Sequence, residues 1–153
     1  MIGLLEALEA SGPAQFLRTS FVAYPVVNAG HILAIGALVT SAVLMDLRVL
    51  GAWRSIPMQT VVGYLRPVAV AALVVAVITG MLLFSVRPLE YLDNPAFRVK
   101  LVLLAIAMAN AVGFTLLQKA FDLRSIPLRM LAAISLLAWP AALLAGRFIG
   151  FVE

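Results

Sequence analysis

The stretch Phe21 to Met45, FVAYPVVNAGHILAIGALVTSAVLM, runs for 25 residues without a Lys, Arg, Asp or Glu. A helix needs about 20 predominantly apolar residues to cross ~30 Å of hydrocarbon. In lipid, every backbone N–H and C=O must find its partner inside the protein, so such a run folds as a helix. Three further apolar runs follow it, and the expected spans are 21–45, 67–86, 97–119 and 129–149. Composition agrees: of 153 residues, 64% are hydrophobic and 12% charged, with a mean hydropathy of +1.10, where a soluble domain carries about 25% charged residues. The expected fold is all-α and polytopic, a single membrane domain (1–153) built as a bundle of four transmembrane helices in the lipid bilayer. There is no room for an added soluble domain.

The formal charge of +4 does not point to nucleic acid, because the basic residues sit at the ends of apolar runs, where they anchor helices and set topology. The loops after spans one and three carry Arg48, Arg54, Arg66, Lys119, Arg124 and Arg129; the other face carries Arg18, Arg87, Arg98, Lys100 and Arg147. By the positive-inside rule the first set is cytoplasmic and both termini lie on the other side. With no cysteine in the chain, disulfides, Fe–S clusters and thiolate metal sites are excluded within it.

Residues 1–11, MIGLLEALEAS, set Ile2, Leu4, Leu5 and Leu8 against Glu6 and Glu9, the pattern of an amphipathic segment on the membrane surface. Gly12 and Pro13 end it. In span one, Gly30, Ala34, Ala37 and Ser41 form a small-residue face suited to close helix packing. The stretch Gly51 to Tyr64 reads as a loop, with Pro67 near the start of span two. Asn94-Pro95 reads as an N-cap followed by the first helical residue of span three. Trp139-Pro140 marks an expected kink in span four.

The chain hints at a duplication. Span one is followed by Asp46-Leu47-Arg48 and then Arg54-Ser55-Ile56-Pro57; span three is followed by Asp122-Leu123-Arg124, overlapping Arg124-Ser125-Ile126-Pro127. Two parallel copies of a two-helix hairpin would bring these clusters to one membrane face. Cross-helix pairs Asp46–Arg124 and Asp122–Arg48 are then expected, as structural charges near helix ends and not catalytic acids.

The candidate site centres on His31, the only histidine. Tyr24, Asn28 and His31 fall on one helical face. Counting along the spans puts Thr79, Asn110 and Trp139 near the level of His31, which gives an expected intramembrane polar cluster of Tyr24, Asn28, His31, Thr79, Asn110 and Trp139. Polar groups at that depth are costly unless paired and face the bundle interior. Three readings of His31 compete: an interhelical hydrogen bond that fixes packing, a ligand to haem b or copper, and a proton or substrate relay. One histidine supplies one axial haem ligand; Met108 or a neighbouring subunit would have to supply another. Hydrolase chemistry finds little support, since there is no Ser-x-Gly elbow, no metal-binding His pair and no Gly-rich phosphate loop.

The segments His31-Ile-Leu-Ala-x-Gly36, Asp46-Leu-Arg48-x-Leu-Gly51, Asn94-Pro-Ala-Phe-Arg-x-Lys100 and Gly146-Arg147-x-Ile-Gly150 resemble a family of small uncharacterised bacterial inner-membrane proteins of four helices. The layout is also similar, more remotely, to copper-resistance protein D and cytochrome b-type membrane modules. That resemblance implies an inner-membrane location, a redox or copper-handling context, and His31 as a cofactor or metal site residue; the chain departs from those modules in having one histidine where they use several. The expected function is a non-enzymatic membrane module, a partner or subunit in a redox or metal-handling system. Small-residue faces favour a homo-oligomer or a larger membrane complex. The alternatives are a haem- or copper-binding electron carrier centred on His31, and a small transporter or channel with a mid-membrane polar site.

Overall fold

The computed structural model describes residues 2–122 and 125–152. They fold into seven helices: α1 (Ile2–Glu9), α2 (Gly12–Thr19), α3 (Ala23–Leu50), α4 (Met58–Val86), α5 (Pro88–Asp93), α6 (Pro95–Leu117) and α7 (Ile126–Phe148). Four of these, α3, α4, α6 and α7, are long and apolar enough to cross a membrane, and the chain is a multi-pass membrane protein. The short helices α1, α2 and α5 gather at one end, the terminal face; the α3–α4 and α6–α7 connections lie at the other.

Two boundaries differ from the sequence expectation. Helix α3 continues through Asp46-Leu47-Arg48 to Leu50 and is closed by Gly51, whose φ of 116° lets its N–H reach back to the Leu47 and Arg48 carbonyls. Only a glycine adopts that left-handed conformation at low cost. Helix α4 starts at Met58, directly after Pro57, so Pro67 lies well inside it. A proline there removes one backbone bond, but it projects from an exposed face and the hairpin's packing carries the helix through. At ~1.5 Å per residue α3 and α4 are each about 42 Å long, so their joined ends stand clear of a ~30 Å hydrocarbon layer. Helix α7 likewise runs unbroken through Pro140.

The amphipathic segment is larger than residues 1–11. Helices α1 and α2 fold back on the bundle, with Ala14 and Leu17 buried while Ile2, Leu4 and Phe16 stay exposed. Arg18 of α2 bonds both Glu9 and the carbonyl of Val86 at the α4 C-terminus. A helix C-terminus leaves carbonyls without partners and carries a partial negative charge, so a guanidinium suits it. Asn94 does two jobs at once. Its Oδ1 caps α6 by accepting from the N–H groups of Ala96 and Phe97, at 3.0 and 3.2 Å. Its Nδ2 donates to the carbonyls of Ile149 and Val152, at 3.2 and 2.6 Å, beyond the end of α7.

The core is built from small residues, as expected where helices associate by close packing and not by hydrophobic expulsion. Leu38, Ala42, Ala69, Ala72, Ala107, Ala138 and Trp139 form its main cluster. Ala34 and Ser41 of the expected small-residue face are buried in α3. The four long helices do not pack equally. Helix α3 packs on α4 and on α7, and α7 on α6, whereas no Cα of α4 comes within 8 Å of one in α6. Side chains bridge that wider seam at both ends. Arg66 donates to Gln118 at 2.9 Å on one side, and Phe84 stacks on Phe97 at 5.6 Å on the other.

Candidate functional site

His31 points from α3 to α4. Its Nδ1 lies 2.9 Å from Thr79 Oγ1, and the Thr79 hydroxyl donates its only proton to the Val75 carbonyl at 2.6 Å. With its proton on that carbonyl, Thr79 accepts from His31 in the tautomer that carries its proton on Nδ1. The ring edge rests on Gly80: a Cβ built there would meet His31 Cε1 at 3.0 Å. A larger side chain at this position would require the imidazole to give by a few tenths of an ångström.

Lys100 is the group that sequence reading assigned only to topology. It lies on α6, near the bundle interior, with its stem across Gly146 of α7, where an added Cβ would meet Cε and Nζ at 3.4 Å. Its positive charge acts on His31. It belongs to none of the ion pairs among the described residues, which are Glu9–Arg18, Arg87–Glu90 and Asp93–Arg98. Gly80 and Gly146 are the sequence signal that could have found this site. Each is a small residue on a membrane helix, and each makes room for a cationic or ionisable side chain from another helix.

Above this group, at the terminal face, lies an open cleft of about 970 Å³. Its lining includes Tyr24, Leu83, Pro95 and Ile149, one from each long helix or its immediate end. One to two turns deeper on the same four elements stand His31, Thr79 with Gly80, Lys100 and Gly146. The Tyr24, Asn28, His31 stripe thus runs from the cleft into the bundle, with Asn28 half-buried between. Tyr91 of α5 also lines the cleft, where burial first, and then the neighbouring Tyr24, push its hydroxyl up to about 12. Toward the other face, the apolar cluster around Leu38 and Trp139 closes the bundle.

Asn110 and Trp139 are not part of the group. Asn110 donates from Nδ2 to the Leu131 carbonyl of α7 at 3.0 Å, and its buried Oδ1 has no partner among the described residues. Because α6 starts at Pro95, Asn110 lies ~22 Å along it while His31 lies ~12 Å along α3, and the two levels differ by two turns. Trp139 packs with Leu38, Ala42 and Ala107. Helix side chains lean toward their own N-terminus, and since α7 runs antiparallel to α3, Trp139 and His31 lean apart.

The helix-end charges also resolve differently. The Asp46–Arg124 pair lies outside the described residues. Arg48 donates from Nε to the Ile56 carbonyl at 2.9 Å, within its own hairpin. Asp46 is buried, with Ser135 as hydrogen-bonding neighbour and no partner for Oδ2 among the described residues.

The donor set does not fit haem or copper. Among the described residues no three His, Asp or Glu side chains converge on a point, Met108 faces outward, and the one imidazole has an ammonium charge acting on it, which opposes a metal cation. No known protein family, curated protein or solved structure matches the chain.

Proposed function

We propose that the protein is a non-enzymatic membrane module of transporter type, which takes a small anion or a proton between His31 and Lys100 from the terminal face. The observation that carries this reading is the convergence of all four long helices on that pair beneath the cleft, with the far side closed by apolar packing. A lysine held inside a membrane bundle without an acidic partner is costly, and a small anion beside it lowers that cost. In the tautomer with its proton on Nδ1, the Nε2 of His31 supplies a second polar contact, as acceptor when neutral and donor when protonated.

The test is flux in proteoliposomes loaded with a pH-sensitive dye, under an imposed gradient of proton, chloride, nitrate or acetate. The wild-type protein is expected to dissipate at least one gradient, with a loss of tenfold or more in His31→Ala and Lys100→Met. Flux that is absent for all four, or indifferent to both substitutions, sinks the proposal.

The resemblance supports a further placing: a subunit of a redox or metal-handling complex in a bacterial inner membrane, with both termini outside the cytoplasm. Co-purification of a membrane partner tests the first part, and thiol labelling of single cysteines introduced at positions 3 and 54 tests the second. A Soret band or bound copper that disappears in His31→Ala would instead restore the electron-carrier reading.

A further inference from the structure

On the face opposite the cleft, Arg48, Arg54 and Arg129 line a pocket of about 260 Å³ together with Val49, Leu50, Gly51 and Met58. Among the described residues no Asp or Glu lines it. We propose that this pocket binds a phosphate-bearing anion, and that it is a ligand site separate from the His31–Lys100 group.

Three features argue for a built site and not a chance meeting of surface charges. Arg48 is only 4% exposed, yet its single hydrogen bond among the described residues uses Nε alone. Arg48 lines the pocket, and its terminal nitrogens make no further hydrogen bond among the described residues. Such a group is expensive without an anion or a set of acceptors. Second, the α3–α4 turn is shaped to bring another arginine in. Gly51 has a φ of 116° and Trp53 a φ of 47°, the only non-glycine with positive φ among the described residues. The chain thereby folds back so that the Arg54 guanidinium lies over Gly51, where an added Cβ would meet Nη2 at 3.5 Å. Backbone held in sparsely populated conformations marks sites that the surrounding structure over-determines. Third, Arg129 comes from the first turn of α7, so two hairpins contribute to one basic pocket.

The chemistry of recognition follows from the donors. Arginine presents a planar fork of N–H groups matched to the oxygens of phosphate. Three of them around a small pocket suit a phosphate monoester or diester better than a monatomic ion. The pocket's place at the ends of membrane helices admits two sources of that group, an anionic lipid headgroup and a soluble phosphate.

The deciding experiment is calorimetric titration of the full chain, stripped of lipid in mild detergent. The probes are inorganic pyrophosphate, dioctanoyl phosphatidylglycerol and, as a zwitterionic control, dioctanoyl phosphatidylcholine. Saturable binding of phosphatidylglycerol alone identifies a lipid-headgroup site; binding of pyrophosphate identifies a site for soluble phosphates. In either case Arg54→Gln and Arg129→Gln, both at exposed positions, should each weaken binding by about tenfold, the equivalent of one lost charge-assisted contact. Arg147→Gln on the other face should leave it unchanged. The proposal is overturned if no anion probe binds saturably, if phosphatidylcholine binds equally well, or if the double variant Arg54→Gln/Arg129→Gln binds like the wild type while circular dichroism shows it folded.

Discussion

At the scale of single residues, the site packs its polar members against two glycines. Gly80 leaves the imidazole of His31 its place, and Gly146 leaves room for the stem of Lys100. Gly80→Ala would put a methyl group 3.0 Å from Cε1, and the ring is expected to shift and weaken its bond to Thr79. The expected cost is about 1–2 kcal/mol, from strain and a weakened interhelical hydrogen bond. Thermal unfolding in detergent measures it, and ¹⁵N chemical shifts of the single histidine report whether the proton sits on Nδ1. Gly36→Ala, where an added Cβ meets nothing within 4 Å, serves as the control and should be near neutral. An unchanged His31 spectrum in Gly80→Ala would show that the glycine is not what positions the ring. The polar stripe Tyr24, Asn28, His31 was legible from spacing alone, because helical geometry dictates which residues share a face. Thr79 was expected near the level of His31, and its hydroxyl lies 2.9 Å from the ring. Lys100 was not seen in this role. Near the start of a membrane helix, a lysine reads as an interfacial anchor that snorkels outward, and only its neighbours reveal that it turns inward.

At the scale of elements, helix ends are closed by side chains from elsewhere in the chain. Arg18 serves the end of α4 and Asn94 serves both the start of α6 and the segment after α7. The N-cap function of Asn94 could be read from Asn-Pro; its bonds to Ile149 and Val152 join residues too far apart in sequence for any local signal. Asn94→Ala should therefore cost more than an ordinary cap, about 2 kcal/mol in place of ~1, and should loosen the end of α7. Hydrogen exchange is the measurement. Faster exchange at 146–152 as well as at 95–98 is expected, and an effect confined to α6 would contradict the tie between the two ends. The early start of α4 was misread for a related reason. The stretch from Met58 to Arg66 has no long apolar run, and its helicity comes from packing in the hairpin, where Met58 is buried beside Val49 and Ala132.

At the scale of the whole molecule, the bundle is asymmetric. If α3–α4 and α6–α7 are two copies of one hairpin, the α3–α7 and α4–α6 seams are equivalent by symmetry, but only the first brings backbones together. The chain has no cysteine, so pairs can be introduced cleanly. Ala72→Cys with Ala107→Cys should resist oxidation to a disulfide, since Cα atoms more than 7 Å apart cannot be bridged without backbone movement, while a flexible bifunctional thiol reagent should join them. Ready disulfide formation would mean that the α4–α6 seam closes in the membrane, and would make it a moving part.

By itself the sequence determined that this is a helical membrane protein of four spans, because uncharged runs of this length have no other way to satisfy their backbone in lipid. It also determined which residues share a helical face and where a proline or glycine caps an end, since both follow from local geometry. The tertiary structure decided what those faces meet. Which level two side chains reach depends on where each helix starts and which way it runs, and with α3 starting at Ala23 and α6 at Pro95 Asn110 lies two turns deeper than His31. Whether a charge faces water or another helix is fixed by its neighbours' shapes. So Lys100 joined the intramembrane site, and Arg48, Arg54 and Arg129 met in one pocket, through contacts made by residues distant in the chain.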